Sequence, residues 1–129
     1  MAQVKIYALK GMTLQRKQRL SGAIHEALGE IFQLPEGKRF QRFILLDKED
    51  FLFPEDRSDA YMIIELLIFE GRTAETKKEL VRALIRNIKD ALDVSVQDME
   101  ITIIETPRSN WGIRGVPGDE LEINYRVEI

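Results

Sequence analysis

The chain has 129 residues, a length typical of one domain, and 44% of them are hydrophobic, which is enough for a sizeable core. It contains no cysteine and one histidine, so disulfides are excluded and neither a metal site nor a cofactor is expected. The net charge of −3 at pH 7 argues against broad nucleic-acid binding. We find neither a signal peptide nor an apolar run long enough to span a membrane, and therefore expect a cytoplasmic protein without membrane contact.

The first predicted unit is a strand over 4–9, a helix over 13–32 and a second strand over 40–46. Both strands are short apolar runs rich in β-branched and aromatic residues. Apolar residues recur every four positions in the helix, which is typical of an amphipathic helix: Leu20, Ile24, Leu28 and Phe32. Thr13 stands where an N-cap is expected.

The same order of elements recurs sixty positions downstream. Placing Gly11 on Gly71 aligns several further pairs without a gap, among them Thr13 with Thr73, Leu20 with Leu80, Leu28 with Ile88 and Phe32 with Leu92. The alignment predicts strands over 62–69 and 99–104 on either side of a second helix. Each strand–helix–strand unit implies a parallel pair with a right-handed crossover. The predicted fold class is therefore α+β, with duplicated β-α-β units forming a four-stranded sheet that carries two helices on one face.

We predict a single domain in four segments: repeat one (2–47), an insertion (48–60), repeat two (61–106), and a carboxyl-terminal loop and strand (107–129). The insertion contains Phe51, Leu52 and Phe53, which either anchor it to the body or contact a neighbouring chain. Anchoring is favoured because exposed apolar clusters are uncommon. Apolar and polar residues alternate over 121–129, which predicts a half-buried strand at the margin of the sheet.

The strand over 62–69 predicts self-association. It is apolar at seven of eight positions, which indicates burial on both faces. Two helices can cover only one face of the sheet. We therefore expect another copy of the chain to cover the second face in a homo-oligomer.

Four segments, in their order and spacing, resemble the tautomerase superfamily: AQVKIYALKGMT, LPEGKRFQ, FEGRTAETKK and PRSNWGIRG. Within it, the chain is most similar to the malonate semialdehyde decarboxylase and 3-chloroacrylic acid dehalogenase branch, whose chains are fused duplications. Members of that branch form trimers, so the resemblance implies a homotrimer. Their chemistry depends on an amino-terminal proline, exposed when the initiator Met is removed. Ala2 stands at that position here.

The resemblance also implies a site, residue by residue. Ala2 would supply a primary amine, whose pKa burial and a nearby arginine would lower. Arg72 matches a family arginine that binds and polarises the substrate carboxylate, a task suited to the guanidinium fork. Trp111 matches an aromatic residue that lines the family's pocket. Glu70 replaces a companion arginine and Lys38 replaces a water-activating aspartate, and both departures count against hydration-based decarboxylation or dehalogenation.

The residues themselves leave alternatives open. Arg72 lies at a helix start, where the helix dipole disfavours a cation, and its alternative is a solvated charge. Arg42 interrupts an apolar strand, so it points either into the same pocket or to a neighbouring glutamate. Arg114 follows Trp111 on a loop rich in Pro and Gly, where we expect a binding surface. The alternative for Trp111 is that it closes the end of the core.

The sequence therefore predicts a tautomerase-like protein that transfers a proton between the keto and enol forms of a small carboxylate. Ala2 would move the proton, and Arg72, with Arg42 or Arg114, would hold the carboxylate and stabilise the enolate. The alternative is a non-catalytic small-anion-binding or assembly protein on the same trimeric scaffold, because the catalytic proline is missing. The expected partners are a small anionic molecule and further copies of the chain.

Overall fold

Two helices, α1 (Leu14–Phe32) and α2 (Ala74–Leu92), pack side by side on one face of a four-stranded sheet in the computed structural model, which describes residues 1–129. The strands are β1 (Ala2–Leu9), β2 (Phe40–Leu46), β3 (Met62–Phe69) and β4 (Met99–Thr106). Their order is β2-β1-β3-β4, with parallel outer pairs and an antiparallel central pair. This α+β arrangement of two β-α-β units confirms the predicted fold class.

The two units share their helix caps as well as their lengths. Thr13 and Thr73 have nearly the same dihedral angles, φ −70° with ψ 159° and 160°, and each side chain accepts a hydrogen bond from the backbone N–H three residues later. The helices are followed by the C-cap residues Gln33 and Asp93, both in the left-handed conformation with φ of 56° and 53°. The sixty-residue offset in the sequence therefore extends to the backbone geometry.

The antiparallel pairing of β1 with β3 places the amino terminus beside the start of α2. Ala2 pairs with Ile68, and Ala8 pairs with Met62 at the other end. The start of β1 therefore lies next to the end of β3, from which the chain turns at Gly71 into α2. Neither helix combines the length and the apolar character needed to cross a membrane.

The sheet is buried on the helix side only. Residues of β3 that face the helices are fully buried and belong to the main core: Met62, Ile64, Leu66 and Ile68. The intervening Ile63, Glu65 and Leu67 are only half-buried, so burial of both faces is not reached within one chain. The apolar run predicts burial on both faces, and within a single chain this burial is observed only on the face that meets the helices.

The insertion is anchored to the body, as the sequence favoured. Phe51 is buried, and the Phe53 ring stacks on the Tyr61 ring with 4.8 Å between centroids. Phe51 lies against the same tyrosine at 5.5 Å. Leu52 is instead 86% exposed, so the anchor consists of the aromatic residues alone.

The carboxyl-terminal segment does not form the predicted strand. A two-residue hairpin, β5 (Gly112–Ile113) with β6 (Val116–Pro117), precedes it, and residues 121–129 have no ladder hydrogen bonds. The alternation of apolar and polar residues is still reflected in burial. Its apolar residues pack in a second apolar cluster with Met1, Phe69 and Ile113: Leu121, Ile123, Tyr125 and Val127. This tail (residues 121–129) lies at the end of the sheet rather than along an edge, so side-chain packing replaces strand pairing.

Candidate active site

The amino terminus is buried and uncharged at neutral pH. The α-amine of Met1 donates a hydrogen bond to the Tyr125 hydroxyl. Burial lowers the pKa of this amine from 8.0 to about 4, and the positive charges of Arg72, Arg108 and Lys38 act in the same direction. An amine with this pKa is neutral at pH 7 and can accept a proton.

A cavity of about 340 Å³ opens beside this amine, a volume suited to a small organic acid. Tail residues 121–125 supply most of its lining, and Met1, Lys38, Phe69 and Arg114 supply the rest. Two cations therefore face the cavity, opposed by the single carboxylate of Glu122. The balance of charge favours an anionic ligand.

Arg72 is an incompletely satisfied cation beside the amine. It is only 5% exposed, and its Cζ lies 4.2 Å from the centre of the Phe32 ring. Nη1 donates a long hydrogen bond of 3.4 Å to the Phe69 carbonyl, whereas Nε and Nη2 have no partner. Burial lowers the pKa of Arg72 to about 10, an effect opposed by Glu105 and Glu128, so the guanidinium remains charged at pH 7. Two unpartnered guanidinium nitrogens are suited to a carboxylate, but both are buried and Arg72 is not among the residues that line the cavity.

The turn that carries Arg72 requires a glycine and is covered by the tail. Gly71 has a φ of 135°, and a Cβ at this position would lie 2.9 Å from Cγ1 of Val127. The tail is held further at the amino-terminal end of α2, where the Thr76 hydroxyl donates to the Ile129 carbonyl at 2.5 Å. These contacts fix the tail over the Arg72 turn.

Trp111 and Arg108 stabilise the cavity without lining it. Trp111 packs edge-on against Phe69, with 5.0 Å between ring centroids, and its Nε1 donates to the Thr106 hydroxyl at 2.7 Å. Arg108 donates to two carbonyls of the turn over 118–121, at 3.0 and 2.6 Å. Trp111 therefore positions a residue of the cavity lining, and Arg108 fixes the loop that leads into the tail.

The structure brings most of the sequence-predicted site residues to one end of the sheet. Ala2 is buried directly behind Met1, Arg72 lies close enough to influence the amine, and Arg114 lines the cavity. Trp111 contacts the lining through Phe69. Arg42 lies elsewhere: it pairs in register with Lys5 and is exposed beside a separate depression on the sheet.

Tyr125 is the residue of this site that the sequence did not reveal. Its position on the apolar side of the tail indicated burial, but nothing in the sequence showed contact with residue 1, 124 positions away. In the sequence Lys38 is only a departure from the family pattern, whereas the structure places it in the cavity lining. Arg108 was visible only as a charge on a Pro- and Gly-rich loop.

A family model described as "Tautomerase enzyme" matches residues 38–114, more than half of the chain. The chain belongs to this tautomerase family. It is similar to the probable tautomerase YusQ of Bacillus subtilis (strain 168), with 28% identity over 113 residues that cover 84% of this chain and 89% of the relative. The predicted membership of the tautomerase superfamily is thereby confirmed.

A shorter relative matches only part of the chain. The 2-hydroxymuconate tautomerase of Pseudomonas sp. (strain CF600) is 34% identical over 59 residues, which cover 94% of that protein and 46% of this chain. Nearly an entire short tautomerase therefore aligns with less than half of this tautomerase-family chain. This is the relation expected of a duplicated chain.

Solved structures with the same fold include members of the branch named from the sequence. FG41 malonate semialdehyde decarboxylase inhibited by 3-bromopropiolate superposes with a TM-score of 0.82 at 25% identity, over 95% of this chain and 99% of that one. A native fused 4-OT superposes with a TM-score of 0.81 at 22% identity, over 92% and 98% of the two chains. A fused 4-OT asymmetric trimer gives a TM-score of 0.82 at 21% identity, over 92% of this chain and 97% of that one.

Proposed function

We propose that this tautomerase-family chain transfers a proton between the keto and enol forms of a small carboxylic acid, at the carbon next to the carbonyl. The observation that carries this proposal is the buried, uncharged terminal amine, which lies beside a cavity and close to a guanidinium with two free donors. A neutral amine accepts the proton, and a fixed cation stabilises the charge that develops on the enolate.

The base in this proposal is the amine of Ala2, exposed when Met1 is removed. Ala2 is 2% exposed and pairs with Ile68, so its nitrogen is held by the sheet. One residue of a strand spans about 3.3 Å, so the new amine lies about that far from the position of the Met1 amine. We expect burial and the charge of Arg72 to act on this amine in the same direction as on the Met1 amine.

Arg72 holds the substrate carboxylate in this proposal. Its Nε and Nη2 are free, and a carboxylate can accept from both in the two-bond geometry that suits a guanidinium. Arg114 and Lys38 attract the same charge from the cavity wall. Trp111 contributes by holding Phe69 in place.

We further propose a homotrimer in which sister chains cover the open face of the sheet. Ile63 and Leu67 are half-buried on that face, and Ile104 is 38% exposed there. A fused 4-OT with the same fold is a trimer. In this arrangement Arg42 contributes to substrate binding only across a subunit interface, and the mass of the native assembly tests the proposal.

The test is a rate measurement on protein of defined amino terminus. Intact mass identifies the residue that carries the amine, and ultraviolet absorbance follows the conversion of phenylenolpyruvate or a 2-hydroxydienoate. We expect turnover to be abolished by Arg72→Met and by chemical blocking of the amine, and to be raised by Ala2→Pro. The matched control is Arg86→Met, on an exposed ion pair of α2, which is expected to leave the rate unchanged. Equal rates in the wild type, Arg72→Met and the amine-blocked sample would refute the mechanism.

A second candidate function is non-catalytic binding of a small anion. Met1 favours it, because this residue is only 8% exposed and its side chain fills the apolar cluster in front of Ala2. A native protein that retains Met1, binds phenylpyruvate and converts no substrate would support this candidate over the enzyme.

A further inference from the structure

The space between Ala2 and Tyr125 is occupied by Met1. The main-chain nitrogen of Met1 is hydrogen-bonded to the Tyr125 hydroxyl, and the Met1 side chain packs in one cluster with Phe69 and Val127. Removal of Met1 leaves a gap with the Ala2 amine on one side and the phenol on the other. Tyr125 also lines the cavity, so a molecule that enters the gap meets the hydroxyl directly.

We propose that Tyr125 is a catalytic acid, which donates a proton to the carbonyl oxygen of the bound keto acid opposite the Ala2 amine. This inference rests on the proposed function and adds a second proton-transfer group to it. In the structure, the Met1 nitrogen stands where the substrate oxygen would lie, and it shows that a polar atom at this place is within hydrogen-bond reach of the phenol.

The phenol is held by the packing of its ring and by the contacts of the tail residues that follow it. The Tyr125 ring packs against the main core and against the second cluster. Val127 lies against Gly71, and the Ile129 carbonyl accepts from Thr76. An acid fixed in this way needs no rearrangement when substrate enters.

The other donors of the lining are less suited to this role. Arg114 and Asn124 are exposed, and Lys38 is half-buried with no hydrogen bond to the Met1 nitrogen. Glu122, also on the lining, accepts hydrogen bonds when it is ionised. Tyr125 is the lining side chain that is hydrogen-bonded at this position.

The proton transfers balance without a further reactant. The Ala2 amine removes the proton from the carbon next to the carbonyl, and the electron pair of that bond forms the new carbon–carbon double bond. The carbonyl π electrons pass to oxygen, which takes the proton of the Tyr125 hydroxyl and becomes the enol hydroxyl. The ammonium then returns a proton through water to the phenolate, which restores both groups.

The first test is Tyr125→Phe in Met1-free protein, verified by intact mass. The substitution keeps the packed ring and removes only the hydroxyl, so we expect kcat for phenylpyruvate to fall about 100-fold while KM changes little. The matched control is Tyr61→Phe. Tyr61 stands before β3 as Met1 stands before β1, sixty positions earlier, but it lies at the opposite end of the sheet from the Ala2 amine. A kcat unchanged from wild type, or a change confined to KM, would overturn the assignment.

The second test does not depend on turnover. The chain contains three tyrosines, so a protein labelled with ¹³C at the tyrosine Cζ gives three signals, and Tyr125→Phe identifies the relevant one. We expect phenylpyruvate to shift the Tyr125 signal and to leave the Tyr61 signal in place. A Tyr125 signal that does not move at saturating phenylpyruvate would contradict the contact.

The two tests separate this inference from the proposed function. Turnover that needs the amine but is insensitive to Tyr125→Phe leaves the proposed function intact and removes the role of Tyr125. A shifted Tyr125 signal without any turnover shows that the phenol binds the ligand but refutes the enzyme, and with it the catalytic role of Tyr125.

Discussion

Replacing Arg72 by Met is expected to stabilise the fold while removing the anion site. Burial lowers the pKa of Arg72 from 12.5 to about 10. The difference corresponds to a cost of about 3 kcal/mol for burying the charge, and solvent screening reduces it to roughly 1–2 kcal/mol. Because pH 7 lies below both pKa values, the arginine is charged in the folded and unfolded states and the whole cost applies.

Methionine at this position keeps an apolar contact with the Phe32 ring and removes the two donor nitrogens that lack partners. We therefore expect the free energy of unfolding of Arg72→Met to rise by about 1–2 kcal/mol, which corresponds to roughly 3–8 °C in Tm. The same variant is not expected to be stabilised by phenylpyruvate, because the guanidinium that would bind the carboxylate is absent.

The matched control is Arg108→Met, which should have the opposite effect on stability. Arg108 donates to the carbonyls of Gly118 and Leu121, so its removal leaves two acceptors without their donor and releases the loop. A loss of about 1–3 kcal/mol is expected. The two variants thus differ in sign because the Arg72 guanidinium has two buried nitrogens without partners, whereas the Arg108 guanidinium donates to two carbonyls of the loop.

The assay is urea unfolding at pH 7, followed by circular dichroism, with and without phenylpyruvate. Wild-type protein should gain stability from the ligand, whereas Arg72→Met should not. If Arg72→Met unfolds at a lower urea concentration than wild type, as expected for Arg108→Met, the buried nitrogens have partners and the reasoning is wrong.

Three further predictions concern the ends of the chain and the turn before α2. In protein that retains Met1, the amine pKa falls from 8.0 in the unfolded chain to about 4 in the folded one, so stability should decrease as pH falls from 8 to 4. Acetylating that amine should remove this slope in urea midpoints, and an equal slope would contradict burial of the amine. Gly71→Ala should lower the free energy of unfolding by about 1–3 kcal/mol, because of the positive φ and the clash with the tail. Its control Gly37→Ala, which has open space around it, should change that free energy by no more than about 0.5 kcal/mol. Equal thermal midpoints for the two variants would contradict this. Thr73→Ala should destabilise more than the cap variant Thr13→Ala, which costs about 1 kcal/mol, because Thr73 also contacts the last residue of the tail. Equal midpoints for these two variants would show that the tail contact contributes nothing.

The repeated elements were predictable because each rests on local chemistry. The four-residue spacing of apolar residues, the threonine caps at positions 13 and 73, and the short β-branched runs specify helices and strands without long-range information. The duplication then gave the crossover of each unit. Anchoring of the insertion followed from the burial expected of Phe51 and Phe53.

The tail was not predictable in the same way. Alternating residues over 121–129 fit a strand, and the sequence gives no measure of whether an edge is available for pairing. In the fold, Val127 packs on the bare backbone of Gly71, and Thr76 binds the last carbonyl. Packing at the end of the sheet therefore replaced pairing along its edge.

By itself, the sequence determined two β-α-β units, the start of each helix, the branch that the chain resembles and the position of Arg72 before α2. Only the tertiary structure decided that β1 and β3 run antiparallel, which brings the amino terminus to that arginine, and that Tyr125 reaches the same place from the other end of the chain. The reason is physical: periodicity is set by neighbours a few residues apart, whereas burial of the amine and the free donors of Arg72 depend on how distant segments pack against one another.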